Sequence, residues 1–201
     1  MRYRTVLVGL AMMSMCVLSS VPASAQEHDG GFFGFGGGFG TADASCDECR
    51  GDSDRQNSLA LYFKGGGAVN PHVLIGGQFN LWTKNETGVF GAESTIKMYN
   101  AMGTVTFYPQ TEGFFVNLGA GVSFVGVDST VSNTTLSTDL GKGFGFLLGA
   151  GYDIRVGQHL AVTPAIQYWY GAPGDLEFAG GAFVHDWKQN VVDFTIGLTI
   201  F

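Results

Sequence analysis

The chain has 201 residues, 45% of them hydrophobic, 13% aromatic and only 13% charged, with 32 glycines. Soluble domains typically carry about 25% charged residues, so a water-facing surface is hard to build from this composition. The formal charge is -7, and setting aside Arg2 and Arg4 of the amino-terminal leader leaves 8 basic against 17 acidic residues, a net of -9, which excludes the Lys/Arg clusters that bind nucleic acid.

The first segment reads as a processing signal. Arg2 and Arg4 form a basic n-region, residues 5–18 an apolar h-region, and Ala23-Ser24-Ala25 an A-x-A cleavage site before Gln26. Residues 1–25 are therefore expected to be a signal peptide, 26–31 a short amino-terminal tail and 32–201 a single barrel domain. Acylation of Cys16 is disfavoured because Met15 stands where a small residue is needed. No later stretch offers the roughly 20 uninterrupted apolar residues of a membrane helix, so membrane residence must come from strands.

Eight stretches alternate with a period of two, which is the signature of β-strands. In residues 32–42, Phe33, Phe35 and Phe39 share one face and Gly34, Gly36, Gly38 and Gly40 the other. Residues 58–69 set Leu59, Leu61 and Phe63 against Ala60, Tyr62 and Lys64, and residues 73–83 set Ile75, Phe79 and Leu81 against Gln78, Asn80 and Trp82. Residues 95–108 are less clean, because Lys97 shares parity with Tyr99, Val105 and Phe107 and should lie near the outer end. Residues 114–125 oppose Val116, Leu118 and Val122 to Asn117, Gly119 and Gly121. Residues 143–156, GFGFLLGAGYDIRV, separate most sharply, with Phe144, Phe146, Leu148, Tyr152 and Ile154 on one face and mostly glycine, then Asp153 and Arg155, on the other. Residues 160–170 and 191–201 repeat the pattern. A soluble sandwich would put Lys and Glu on its second face, whereas glycine suits a cramped interior. The reading is an inverted one, with the apolar face toward lipid and the small or polar face toward the lumen of a narrow barrel. Each stretch is near the 9 to 11 residues of a tilted membrane strand.

Connections carry a second signal. Links after strands two, four and six are short, while those after strands one, three, five and seven are long and polar, so an up-and-down barrel gathers the long loops at one end and both termini at the other. Aromatic residues gather near both ends: Phe107, Tyr108, Phe114 and Phe115 at the short turns, and Trp82, Phe124, Tyr168, Trp169 and Tyr170 at the long loops. They read as interfacial girdles.

Little in the sequence suggests chemistry. Cys46 and Cys49 form a C-x-x-C in the first long loop and, outside the cytosol, read as a local disulfide; no second pair or nearby His completes a metal site. The acidic spacing around Asp47 and Asp52 is no EF-hand, Arg50-Gly51-Asp52 is a short chance motif, and no Lys-Ser/Thr follows the glycines of 34–40 to make a phosphate loop. His185 is the histidine placed in a long loop, with Asp186 beside it but no nearby Ser, so a nucleophile–base pair is missing. No cofactor or metal is expected. Lys64, Asp153, Arg155 and Asp193 are four charges whose parity turns them inward, and they are expected to form a lumen ion network, Lys64 pairing with Asp193 or Asp153.

The leader, the strand count, the alternation of loops and the aromatic carboxyl end GLTIF resemble the small eight-stranded bacterial outer-membrane barrels of the OmpA, OmpX and OmpW type, the outer membrane protein beta-barrel domain grouping. The resemblance implies an all-β, eight-stranded antiparallel up-and-down transmembrane β-barrel in the outer membrane, monomeric, surrounded by outer-membrane lipid and inserted by the barrel-assembly machinery. It implies periplasmic turns and termini, extracellular long loops, and a structural or surface-interacting role. The alternatives within such barrels are a lipid-modifying enzyme and a narrow channel. One residue departs from the pattern: Phe201 is odd-numbered, whereas the lipid-facing residues from Phe194 to Ile200 are even.

Overall fold

In the computed structural model, which describes residues 30–46, 55–87, 93–131, 134–178 and 181–201, each alternating stretch is a strand. They are β1 (Gly31–Ser45), β2 (Gln56–Asn70), β3 (Val73–Thr87), β4 (Glu93–Phe107), β5 (Phe114–Val131), β6 (Thr134–Tyr152), β7 (Ile154–Arg155), β8 (Leu160–Phe178) and β9 (Gly181–Ile200). β7 continues β6 after a break at Asp153, whose amide donates to the Gly113 carbonyl at 2.9 Å, so the wall has eight members. They pair antiparallel in sequence order, β1 pairs with β9, and β6 pairs with β8 to close the ring. Closure satisfies every backbone group where water is absent, which a membrane-spanning sheet requires.

The two faces are inverted as expected. Phe33, Phe63, Leu118, Phe144, Ile166 and Phe194 are exposed on the outside, while Asn100, Thr163, Gln167, Asp193 and Thr199 are buried inside. The interior is narrow enough to require glycine at close approaches. Gly36 and Gly197 stand opposite each other across β1 and β9, and a Cβ on either would overlap the ring or hydroxyl of Tyr62. Phe201 lies inside as its parity demands, packed with Phe32, Leu74, Tyr108 and Phe115 at the foot of the barrel, with the Arg155 guanidinium 4.5 Å from its ring centre.

Two expectations are corrected. Trp82, Trp169, Tyr108 and Phe115 do not belong to the girdles: they are 1–4% exposed and fill the lumen. Their inward parity outweighs their position near the ends. The outer aromatics are Phe107, Phe114, Phe124, Tyr168 and Tyr170, with Tyr99 stacked on Phe124 at 5.1 Å and Phe146 on Tyr170 at 5.3 Å. The stretches at 126–142 and 171–190, expected to be loops, are largely strand: β5, β6, β8 and β9 run to 18, 19, 19 and 20 residues. Beyond the bilayer a strand no longer alternates in hydropathy, yet its backbone still pairs. This end, opposite the short turns, forms a crown.

The crown has a seam. β5 and β6 stay paired up to Val131 and Thr134, but β6 and β8 pair only from Phe144–Ala172 to Gly151–Ala165. Above that point β8 carries Pro173 and three register shifts between Gly171 and Glu177, and Leu176 is drawn into the interior at 2% exposure. A proline has no N–H to give to a ladder and bulges swing a strand out of register, so the two hairpins part.

Candidate functional site: a filled lumen beneath an open crown

The lumen is built in three storeys. At the foot, Phe32, Leu74, Tyr108, Phe115 and Ala165 form an apolar floor. Below the crown, Trp82, Met98, Met102, Val125, Leu147 and Trp169 anchor an apolar ceiling to which Leu176 and Val191 also belong. Trp82 Nε1 donates to the Gly40 carbonyl at 2.9 Å, which holds the indole across the bore.

Between them lies a polar belt. Gln78 Nε2 donates to Gln167 Oε1 at 2.5 Å and to Asn80 Oδ1 at 2.7 Å, and Asn117 Nδ2 donates to Gln78 Oε1 at 2.8 Å. Asn80 Nδ2 reaches Asn100 Oδ1 at 2.8 Å and Thr106 Oγ1 reaches Asn117 Oδ1 at 3.2 Å. Six side chains from β3, β4, β5 and β8 are thus joined across the bore. Parity shows each of them facing inward; that they meet follows from strand stagger, which no single strand carries.

The four expected charges are all buried or lumen-facing, but the contacts differ from a set of ion pairs. Asp193 accepts from Trp169 Nε1 at 3.0 Å and from Gln167 Nε2 at 3.5 Å. Asp153 accepts from Tyr108 Oη at 2.6 Å and from Thr163 Oγ1 at 2.5 Å. Lys64 places its ammonium 5.0 Å from the Phe115 ring centre, and among the described residues no carboxylate lies within ion-pair reach of it. The carboxylates are held by neutral donors because those donors stand at their own depth, whereas Lys64 meets an aromatic face that attracts a cation. Lys64 also borders a cavity of about 10 Å³ shared with Tyr62, Gln78, Asn117, Thr163 and Gln167. That space holds about one water molecule.

At the crown, Lys97 sits at the outer end of β4 as expected and pairs with Asp128. His185 Nδ1 lies 3.4 Å from Asp175 Oδ1, and Lys188 Nζ 2.5 Å from Asp186. No group of three or more His, Cys, Asp or Glu among the described residues is disposed to hold a metal ion. Cys46 ends the described part of the first crown segment; Cys49, the acidic residues 47–54, the Arg50-Gly51-Asp52 tripeptide, the leader 1–25 and most of the tail lie outside the described residues.

A model of the outer membrane protein beta-barrel domain matches residues 10–183. No curated protein sequence matches the chain. Among solved structures, Neisserial surface protein A aligns with a TM-score of 0.55 at 14% identity, over 86% of this chain and 99% of its own. Ail, the attachment invasion locus protein of Yersinia pestis, aligns with a TM-score of 0.53 at 13% identity, over 85% and 99%. At such identities the likeness is one of fold. With the family model spanning most of a closed, inverted barrel, the chain belongs to the outer membrane protein beta-barrel domain family and resides in the outer membrane.

Proposed function

We propose that this barrel is a surface-interaction protein that works through its crown, with the short turns and both termini in the periplasm. The observation that carries this reading is the contrast between bore and crown. The bore is sealed by two apolar storeys, while β8 and β9 run about twice the 9 to 11 residues that a bilayer needs. Ordered strand is being built where only an external partner can meet it. An eight-stranded interior is just wide enough to be filled by side chains, which speaks against a channel. An enzyme reading would need a nucleophile beside His185, and the residues paired across the hairpin at that height, Leu176 and Val184, are apolar.

Charge narrows the partner. The crown segments 43–57, 84–97, 126–142 and 171–190 carry twelve acidic residues against six basic. Ail was solved with the heparin analogue sucrose octasulfate; for this chain a sulfated polysaccharide has the wrong sign, and a cationic surface has the right one.

The test uses thiol labelling on intact cells in a Cys46→Ser/Cys49→Ser background. Ser137→Cys should react with a membrane-impermeant maleimide, and Asn70→Cys should react only after the envelope is permeabilised. The purified barrel should give no conductance steps in planar bilayers. Reversed labelling would invert the topology, and steady ohmic steps would make the protein a channel.

A further inference from the structure

Two donors in the sealed bore have nothing to donate to, and both border the same space. The Lys64 ammonium, facing the Phe115 ring, has no carboxylate within ion-pair reach and makes no hydrogen bond among the described residues. The Tyr62 hydroxyl is buried and has no hydrogen-bond partner among them either. Lys64 and Tyr62 are 9% and 3% exposed, and both line the cavity of about 10 Å³ whose wall also includes Gln78, Asn117, Gly149, Thr163 and Gln167.

Glycine shapes this space from both sides. Tyr62 and Lys64 stand at successive inward positions of β2, opposite Gly36 and Gly34 of β1. A Cβ on Gly34 would lie 2.8 Å from Lys64 Cε, and one on Gly36 would lie 2.5 Å from the Tyr62 ring, so the bare inner face of β1 is what lets both side chains lie against it. Across the bore, Gly149 is paired with Asn117 on one side and Gln167 on the other, and its missing side chain leaves room between them.

The rest of the lining has its donors engaged. Gln78 Nε2 donates to Gln167 and Asn80, Asn117 Nδ2 to Gln78, and Thr163 Oγ1 to Asp153. The carboxylates of Asp153 and Asp193 are held by Tyr108 and Thr163, and by Trp169 and Gln167, so neither is drawn to the ammonium. What the cavity lacks is an acceptor for Lys64 and Tyr62. A buried cation without a counter-charge is costly. A water molecule would accept from these donors, but it brings two hydrogens of its own into a lining whose amide oxygens already accept, and it leaves the charge in place. A monatomic anion brings no hydrogen and cancels the charge.

We propose that the cavity between Lys64 and Tyr62 is a binding site for a single halide ion such as chloride, held by the ammonium and the phenol hydroxyl. Hydrogen bonds from a charged donor to an anion are the strong ones. Asp153 and Asp193 repel the ion at longer range, whereas the ammonium is in contact with it. A space of about one water molecule has no room for phosphate, sulfate or a carboxylic acid. The apolar floor and ceiling close the bore on both sides, so the ion is taken in as the ring forms and exchanges only when the ring opens.

The whole barrel is therefore refolded in detergent in mixtures of sodium chloride and sodium gluconate at one ionic strength, gluconate being too large for the cavity. As chloride replaces gluconate, the urea midpoint should climb and then level off, as linkage to one site requires. Lys64→Met should abolish this response. Tyr62→Phe should keep it but need at least roughly tenfold more chloride, the worth of one hydrogen bond to a charged group. Crystals grown from sodium bromide should show an anomalous peak within hydrogen-bond reach of Lys64 Nζ and Tyr62 Oη. A midpoint that rises alike in the parent and in Lys64→Met would be a general salt effect and would overturn the proposal. So would a Tyr62→Phe response equal to the parent's, a cavity without bromide, or a midpoint indifferent to chloride, which would leave the space to water.

Discussion

Asp193 and Lys64 show what an inward charge does in this bore. Both are turned to the lumen by parity, and that much is legible in the strands 58–69 and 191–201. Which groups they meet depends on depth, set by the stagger between strands far apart in sequence, and the expected direct pair is replaced by Trp169 and Gln167 on one side and the Phe115 ring on the other. The energetic expectation changes with it. Replacing Asp193 by Ala leaves the buried indole N–H and the Gln167 amide short of an acceptor, and should cost about 1–3 kcal/mol of stability. Replacing Lys64 by Met removes a buried charge that has no carboxylate to lose, and keeps the chain's volume, so stability should hold or rise. Urea titration of both variants in detergent checks the pair; a large drop for Lys64→Met would mean that the ammonium is strongly held after all. Phe201 is the opposite case, since its parity alone places it inside and the Arg155 contact follows.

The spanning part of each element could be read from alternation because lipid on one side and a cramped bore on the other impose opposite chemistry on successive residues. Above the bilayer both faces meet water, the alternation disappears, and residues 126–142 and 171–190 look like loops although the ladder continues through them. The Cα pairing of β1 with β9 shows how tight the spanning part is. Gly197→Ala should destabilise by about 1–3 kcal/mol, because its new methyl enters the space of the Tyr62 ring and the Phe35 carbonyl. Combining it with Tyr62→Ala should cost less than the sum of the two single changes, a coupling that a double-mutant cycle in urea would measure. Strict additivity would show that β1 and β9 shift apart instead.

As a whole the molecule is a ring with no unpaired edge in its spanning zone, since β6 and β8 close it. Such barrels stay folded in dodecyl sulfate until heated, because unpairing one strand exposes backbone that has no other partner. Unheated and boiled samples should therefore migrate differently on a gel; identical mobility would show that the ring does not persist outside a bilayer. The fold was legible down to its strand number and inversion, whereas the crown, the candidate site, was not. Its seam arises from Pro173 and the inward pull on Leu176, a competition between ladder and ceiling that has no period to detect.

The three tryptophans are distributed so that none presents its ring to the lipid side of the spanning wall: Trp82 and Trp169 are sealed in the ceiling and Trp187 packs beside it in the crown. Intrinsic emission during refolding will therefore report when the bore closes, not when the strands enter the bilayer. A refolding trace followed by tryptophan colour should lag one followed by a dye on the outer wall, and the interval between them is the lifetime of an inserted but still hollow ring.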